Sequence, residues 1–311
     1  MAASKIILGT RGSELARAQA MLVAKAIQSL HPRVAIHTRI IATKGDDEKL
    51  VDPFSGRKGL FTANIERALL AEEVDVAVHS AKDLPSEPSR GAKIAAVLPR
   101  GPIDDILVSK GWPSLTSLPG AATVATGSVR RKCQLYWQRP DLNLVDLRGN
   151  VPTRLRKLAQ NNWDAIVLAR AGLERLGFPT TRTEIDFEDR HFFLEILPRE
   201  NFLPAGGQGI IALQIRADDQ STNTLLKPLN DGETLLCLLA EREFLRGLHG
   251  DCNFPVGVIA TINDGRMKFR AQLFEAESSA PREAEVEGSP DAGEILAAQL
   301  LRMIRQGRGQ R

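Results

Sequence analysis

The chain has 311 residues, of which 43% are hydrophobic, 25% charged and 5% aromatic, and its formal net charge is +3. That length allows two or three domains with real cores, in the ordinary composition of a globular protein. So small a charge excludes a global field for polyanions, and the shortage of rings argues against modules that stack nucleobases.

The opening stretch, MAASKIILGT, lacks the long apolar core of a secretory signal, and no apolar run reaches the roughly 18 residues that span a bilayer. The cysteines are Cys133, Cys237 and Cys252. Their odd number and the lack of C-x-x-C predict neither a disulfide framework nor a zinc site, so a reducing cytoplasm is expected.

In chain order, KIILGT reads as a strand. SELARAQAMLVAKAIQSLH follows with helical spacing, Ser13 as its N-cap. HTRIIATKGD is a second strand with its loop. GLFTANIERALLAEE is a second helix, with Leu60, Phe61, Ile65, Leu69 and Leu70 on one side, and VDVAVHS is a third strand. This is the βαβαβ order of a doubly wound sheet. The connector AVLPRGPIDD leads to a second α/β series, with strands in DILVS, AATVATGS, NLVDLRG and DAIVLARAG and helices in SVRRKCQLYWQRP and VPTRLRKLAQNN. The strand in LPAGGQGIIALQIRADD is expected to return to the first lobe. Thereafter come a strong helix, GETLLCLLAEREFLRGLHG, a hairpin turning at Asn263-Asp264-Gly265, and a closing helix capped by Ser289. The expected boundaries are 1–99 with 201–218 for lobe 1, 100–200 for lobe 2, and 219–311 for a small α+β domain.

Three strand ends share one chemistry: LGTRGSELA, ATGSVRRKCQL and LRGNVPTRLRKL each deliver small or hydroxyl residues, then arginine, then a helix. Free N–H groups at a helix start attract anions, and guanidinium forks fit carboxylates. A single arginine in such a place is commonly solvated or ion-paired. The adjacent pair Arg130-Arg131 opposes the helix macrodipole and calls for an anion to offset it. No phosphate-binding glycine loop is complete, so nucleotide binding is unsupported. In VDVAVHSAKDLP a strand ends in His79, Ser80, Lys82 and Asp83, more chemistry than a turn needs. Cys237 and Cys133 lie in helices and read as structural. Cys252 lies in the loop GDCNFPVG, where it is either incidental or a reactive thiol. KGDD and GRKGLF read as a solvated surface loop or a lid over the cleft.

Together TRGSELA, KGLF, DVAVHSAKDLP, GSVRRKCQL, LRGNVPTRL, DAIVLARAGLERLG, LPAGGQG and GDCNFPVG cover nearly the whole chain. They resemble the porphobilinogen deaminase (hydroxymethylbilane synthase) family in order and spacing. The resemblance implies two doubly wound lobes similar to type II periplasmic binding proteins, plus a small α+β C-terminal domain. It implies a transferase of tetrapyrrole (heme and other porphyrin) biosynthesis. Such an enzyme joins four porphobilinogen molecules head to tail, releases ammonia, and hydrolyses off hydroxymethylbilane. Growth starts on a dipyrromethane cofactor held by a thioether, and the matching cysteine is Cys252. Asp83 matches the catalytic acid. Lys82, Asp83, Ser128, Arg130, Arg131 and Arg148 match cofactor-binding positions. Arg11, Ser13, Lys58, Phe61, Ser80, Arg148, Arg154, Arg175 and Gln208 match substrate-binding positions. No metal, nucleic acid or membrane is implied, and the family suggests a monomer.

Three positions depart from the family's pattern: Asp251 beside the cysteine, Pro152 at a helix start, and Arg170 where a small or apolar residue is frequent. Asp251 would raise the neighbouring thiol's pKa by like-charge repulsion. Proline is tolerated in a first turn. Arg170 either adds a carboxylate contact or alters packing. The competing reading of the residues is a non-catalytic two-lobed binder of small carboxylates, against which stand the loop cysteine and the absence of an export signal.

Overall fold

The computed structural model describes residues 5–42, 62–87, 90–248, 255–275 and 280–306. Lobe 1 begins with β1 (Lys5–Thr10), α1 (Glu14–Leu30), β2 (Ala35–Ile40), α2 (Ala63–Leu70), β3 (Val76–Ser80) and β4 (Ala92–Val97). Helix α1 starts where the Ser13 hydroxyl accepts the Ala16 N–H, as its sequence position predicts. It then buries Ala16, Ala20, Val23 and Ile27, one face at spacings of three and four. Val23 and Ile27 are fully buried, each contributing roughly 1.5–3 kcal/mol of transfer free energy.

Lobe 2 holds β5 (Asp105–Ser109), β6 (Thr123–Ala125), α3 (Val129–Gln138), β7 (Asn143–Val145), α4 (Val151–Gln160), β8 (Ala165–Ala169), α5 (Arg170–Arg175), β9 (Glu184–Phe187) and β10 (Arg190–Ile196). The chain then re-enters lobe 1 as β11 (Ile211–Arg216), followed by α6 (Gln220–Leu226). The first sheet runs β2-β1-β3-β11-β4 and the second β7-β6-β8-β5-β10-β9. In each, a parallel core is completed by antiparallel strands: β11 against β3 and β4, and β5 against β8 and β10. The carboxyl ends of β1 and β3 therefore open on one edge, where ligands of such sheets bind.

The last module comprises α7 (Gly232–Gly247), β12 (Val256–Asn263), β13 (Arg266–Leu273), β14 (Arg282–Gly288) and α8 (Gly293–Arg305). Its meander β12-β13-β14 packs on both helices. The β12–β13 hairpin turns at Asp264-Gly265, with φ of 49° and 72°, the left-handed pair that a tight hairpin needs.

Two chain segments cross between the lobes and touch: Gly101 N–H donates to the Gly209 carbonyl at 3.0 Å. Gly209 has φ +85°, and a Cβ there would stand 2.5 Å from the Gly101 oxygen, so only glycine fits. The C-terminal module sits on the same crossing. Val258 N–H donates to the Pro204 carbonyl at 2.9 Å. The buried carboxylate of Glu241 on α7 accepts from Gly207 N–H at 2.6 Å and pairs with Arg100 at 2.7 Å.

Several details differ from the sequence reading: β4 runs to Val97, into the stretch read as a connector from Ala96, and α5 takes Arg170–Gly172 from the stretch read as a strand. Leu70 is 47% exposed, because each helical residue advances about 100° and the buried stripe of α2 runs through Ile65, Ala68 and Leu69; Leu60 and Phe61 lie outside the described residues. The side chain of Ser289 caps nothing; a 3-10 turn over Pro290–Ala292 leads into α8 instead. Strands β9 and β10, which form an edge hairpin turning at Glu188 (φ 53°), and strand β14 were absent from the reading. Their solvent faces are charged, so the apolar signal is confined to alternate positions. No helix among the described residues is long and apolar enough to cross a membrane.

Candidate active site

Strand β3 lies between β1 and β11, which leaves its own backbone satisfied up to Ser80. Ala81 N–H then donates to the Ile210 carbonyl at 3.0 Å, and Ala81–Asp83 form a single 3-10 turn. That turn places Lys82 and Asp83 side by side at the open edge. His79 is 4% exposed and contributes to the wall of a small polar cavity that Asp83 lines with Arg11, Ser13, Gln19, Thr62 and Ser80.

The His79 ring is buried and bonded through Nε2 to Gln214 Oε1 at 3.2 Å, and Gln214 donates its amide to Glu66 at 3.0 Å. Burial pushes its pKa down to about 4, against smaller opposing pulls from Glu66, the Gln214 bond and Asp83. The ring is therefore neutral at neutral pH. Unfolded histidine protonates near 6.5, so between those two values the unfolded chain binds more protons. The stability contribution is complete above about pH 6.5 and is lost as pH falls toward 4. Between pH 7 and pH 5 this amounts to roughly 2 kcal/mol. Urea unfolding of wild type and His79→Gln at both pH values checks it. The variant is expected to show the smaller pH dependence; equal dependence would sink the assignment.

From Asp83's neighbour a polar chain crosses between the lobes. Lys82 Nζ lies 3.5 Å from Gln208 Oε1, and Gln208 Nε2 donates to Asp105 Oδ1 at 2.9 Å. Asp105 in turn pairs with Arg130 at 2.7 Å and Arg131 at 2.7 Å. The anion that two arginines at a helix start demand is thus supplied first by the chain itself, from the first residue of β5. The two guanidinium groups hold the Asp105 carboxyl well below the usual carboxylate range, in opposition to a large desolvation effect. Arg130 and Arg131 are each 5% exposed. Their Nε–H groups are nevertheless buried with no hydrogen-bond partner. A carboxylate is the acceptor they match, so this donor set fits an acid-bearing cofactor. Burial, with Arg131 next, pushes the Lys82 pKa down to about 8, and at neutral pH the amine keeps its charge.

The remaining positions fall around this chain. Ser128 accepts the Arg131 N–H at 3.5 Å as N-cap of α3. Gln19 Nε2 donates to Ser80 Oγ at 2.8 Å. A Cβ on Gly172 would lie 3.6 Å from both Leu15 and Val151. Helices α1, α4 and α5 therefore converge, and Arg11 and Ser13 come toward the loop carrying Arg148. Arg154 Nε bonds the Gly149 carbonyl at 2.7 Å, and Lys157 bonds the Arg148 carbonyl at 3.1 Å. Arg175 donates to the Gly209 carbonyl at 2.6 Å, and burial pushes its pKa down to about 10. Arg170 is occupied by Glu174 at 2.9 Å, Asp104 at 3.4 Å and Thr180 at 3.0 Å. Its departure from the family pattern is thus a packing feature. Lys58, Phe61, Asp251 and Cys252 lie outside the described residues, as does the charged loop from Lys44 to Asp47. Cys133 and Cys237 are buried, and burial pushes the Cys237 thiol up to about 12, which makes it unreactive.

Sequence reasoning missed Asp105, Gln19, Thr62, Arg100 and Glu241. A signal existed for the first: PIDDIL sets an acid at the threshold of an apolar strand, and a carboxylate so placed needs a cation. The assembled site has one carboxyl group beside a small cavity, faced by cations that match carboxylates. It can transfer a proton next to an anionic ligand.

Two family models match the chain. Residues 6–224 match "Porphobilinogen deaminase, dipyromethane cofactor binding domain", and residues 235–306 match "Porphobilinogen deaminase, C-terminal domain". Relatives of that name align over most of both chains. The protein of a Roseiflexus species is 43% identical, covering 86% of this chain and 85% of its own. That of Syntrophomonas wolfei is 41% identical at 97% and 95% coverage. That of Nitrobacter winogradskyi is 41% identical at 98% and 94%.

Proposed function

This chain belongs to the porphobilinogen deaminase family, and from that premise we propose that Asp83 is its proton-transfer residue and Cys252 the anchor of its dipyrromethane cofactor. As a family member the enzyme polymerises porphobilinogen for tetrapyrrole synthesis on a dipyrromethane primer. The non-catalytic carboxylate carrier is set aside by that membership.

Porphobilinogen carries an acetate and a propionate on one pyrrole ring, and its aminomethyl group leaves as ammonia. When the C–N bond breaks, the electron pair leaves on nitrogen and the methylene carbon becomes cationic. Asp83 keeps the departing amine protonated, and as carboxylate it then balances the cation and the pyrrole N–H. After the new C–C bond forms, the same carboxylate accepts the proton displaced from the pyrrole carbon. When bound, the dipyrromethane supplies the electron-rich carbon at which growth begins. Lys82, Ser128, Arg130, Arg131 and Arg148 hold its carboxylates. Arg11, Ser13, Lys58, Phe61, Ser80, Arg154, Arg175 and Gln208 line the path of the incoming ring. The observation that supports this assignment is the shared cavity of Asp83, Arg11 and Ser13, next to the Lys82–Gln208–Asp105–Arg131 chain across the lobes.

Each added unit brings two carboxylates, which accounts for many cations in a cleft on a nearly neutral chain. We place the domain boundaries at 1–99 with 201–230, at 100–200, and at 231–311, a shift from the expected 218/219 because Leu225, Leu226 and Leu229 pack into the core of lobe 1, with the enzyme acting as a cytoplasmic monomer on a small-molecule substrate. Intact-mass spectrometry tests the reading. Wild type should exceed its sequence mass by a dipyrromethane, and Cys252→Ser should lose the excess. An active wild-type protein at the bare sequence mass would overturn it.

A further inference from the structure

Thr62 directly precedes α2, where a threonine usually turns its hydroxyl onto the helix's free N–H groups. Here it does not. Its backbone is helical, at φ −116° and ψ −32°, and its hydroxyl makes no cap bond. The residue is 1% exposed, and the hydroxyl is buried without a hydrogen-bond partner. Left so, it forfeits the hydrogen bonds that it would make to water in the unfolded chain. The same residue lines the cavity shared by Asp83, Arg11, Ser13, Gln19 and Ser80. Gln19 and Ser80 bond each other through both ends of the amide, at 2.8 and 3.1 Å.

The size of that cavity limits its ligand. It offers about 50 Å³, more than the ~10–15 Å³ that one water needs and far less than the ~150 Å³ that takes up a benzene ring. Its walls carry hydroxyls, an amide and a carboxylate, which suit a water with two to four polar partners. That volume matches a water rather than a ring, and Asp83 is the one carboxylate among the described residues that line it.

We propose that this cavity holds the water that ends the reaction, with Thr62 as its positioning residue and Asp83 as the base. The proposal rests on the assignment of Asp83 as the proton-transfer residue. In the final step the Asp83 carboxyl gives a proton to the primer's ring carbon, the C–C bond from that carbon to the first substrate-derived ring breaks with its electron pair left on the primer, and the methylene of the released ring is left cationic. The water oxygen forms a bond to that carbon, one O–H bond breaks, and the proton passes to the Asp83 carboxylate. The product gains a hydroxymethyl group, and nothing is oxidised or reduced. Chain growth uses a carbon nucleophile at the same methylene, so the Thr62 hydroxyl serves release and not elongation.

Thr62→Val removes the hydroxyl at nearly constant shape, and Thr62→Ser keeps it. Both are made as holoenzymes, with the primer verified by intact mass and folding by urea unfolding. Single-turnover ammonia release reads elongation. Free product and the mass of protein-bound oligopyrrole read hydrolysis. In Thr62→Val, ammonia release should match wild type, while product release slows roughly tenfold, the size of one hydrogen bond. Protein carrying four added pyrrole units should accumulate. Hydroxylamine, a small nucleophile that competes for the same carbon, should capture a larger share of product. Thr62→Ser should restore the wild-type pattern. If elongation and release slow together, if KM rises with kcat unchanged, or if neither rate changes, the water assignment is overturned. Failure of the underlying reading looks different: wild type would lack the primer mass, or Asp83→Asn would turn over normally.

Discussion

Asp83→Asn keeps the covalent primer and loses turnover by about 10²–10⁴-fold, the usual contribution of a positioned acid–base group. Asparagine matches aspartate in shape, so the 3-10 turn and its bond from Ala81 to Ile210 remain. It can neither hold a transferable proton nor balance a cation. No neighbour among the described residues replaces it. His79 is buried, bonded to Gln214 and neutral. Lys82 is a cation at neutral pH, drawn toward Gln208. Intact mass and steady-state ammonia release, measured on one preparation, check both halves of the expectation. Full turnover in the variant would refute the role.

Asp105→Asn is the largest expected loss of stability, about 3–5 kcal/mol in chemical unfolding. Two guanidinium groups, each 5% exposed, would remain buried with no carboxylate opposite. Asparagine keeps one acceptor oxygen of the two, so its NH2 group would face either Arg130 or the Arg131 and Gln208 donors. The wild-type carboxyl is held so far down the pH scale that it stays ionised through neutral and mildly acid conditions. The deficit should therefore be nearly constant from neutral pH down to about pH 5. A variant with wild-type stability would show that the arginines find other partners. Because Gln208 joins Lys82 to this carboxylate, the same change is expected to raise KM.

Much of the scaffold was visible in the residues because its signals are local. Ser13 stands three residues before the N–H it caps, and the buried stripe of α1 repeats with helical period. Asp264-Gly265 supplies its own positive φ values. Leu70 falls outside the buried face because it stands about 100° beyond Leu69, past the edge of the stripe formed by Ile65, Ala68 and Leu69. The strand end at Ser80-Asp83 was recognised as chemical, since its residues exceed what a turn requires.

The residue types thus announced the reaction. A run of motifs in family order, an acid after a buried strand and arginines at helix starts identify a family whose substrate is rich in carboxylates. Where the charges balance was left to folding. Asp105 meets Arg130 and Arg131 over separations of 25 and 26 residues, and Arg175 reaches Gly209 over 34. Glu241 joins Arg100 from 141 residues away. Helical and strand periods report what lies within a few positions along the backbone. Partners across a cleft depend on how two sheets and a third module pack, so an ion pair inside the protein and a cation awaiting ligand read alike until the chain has folded.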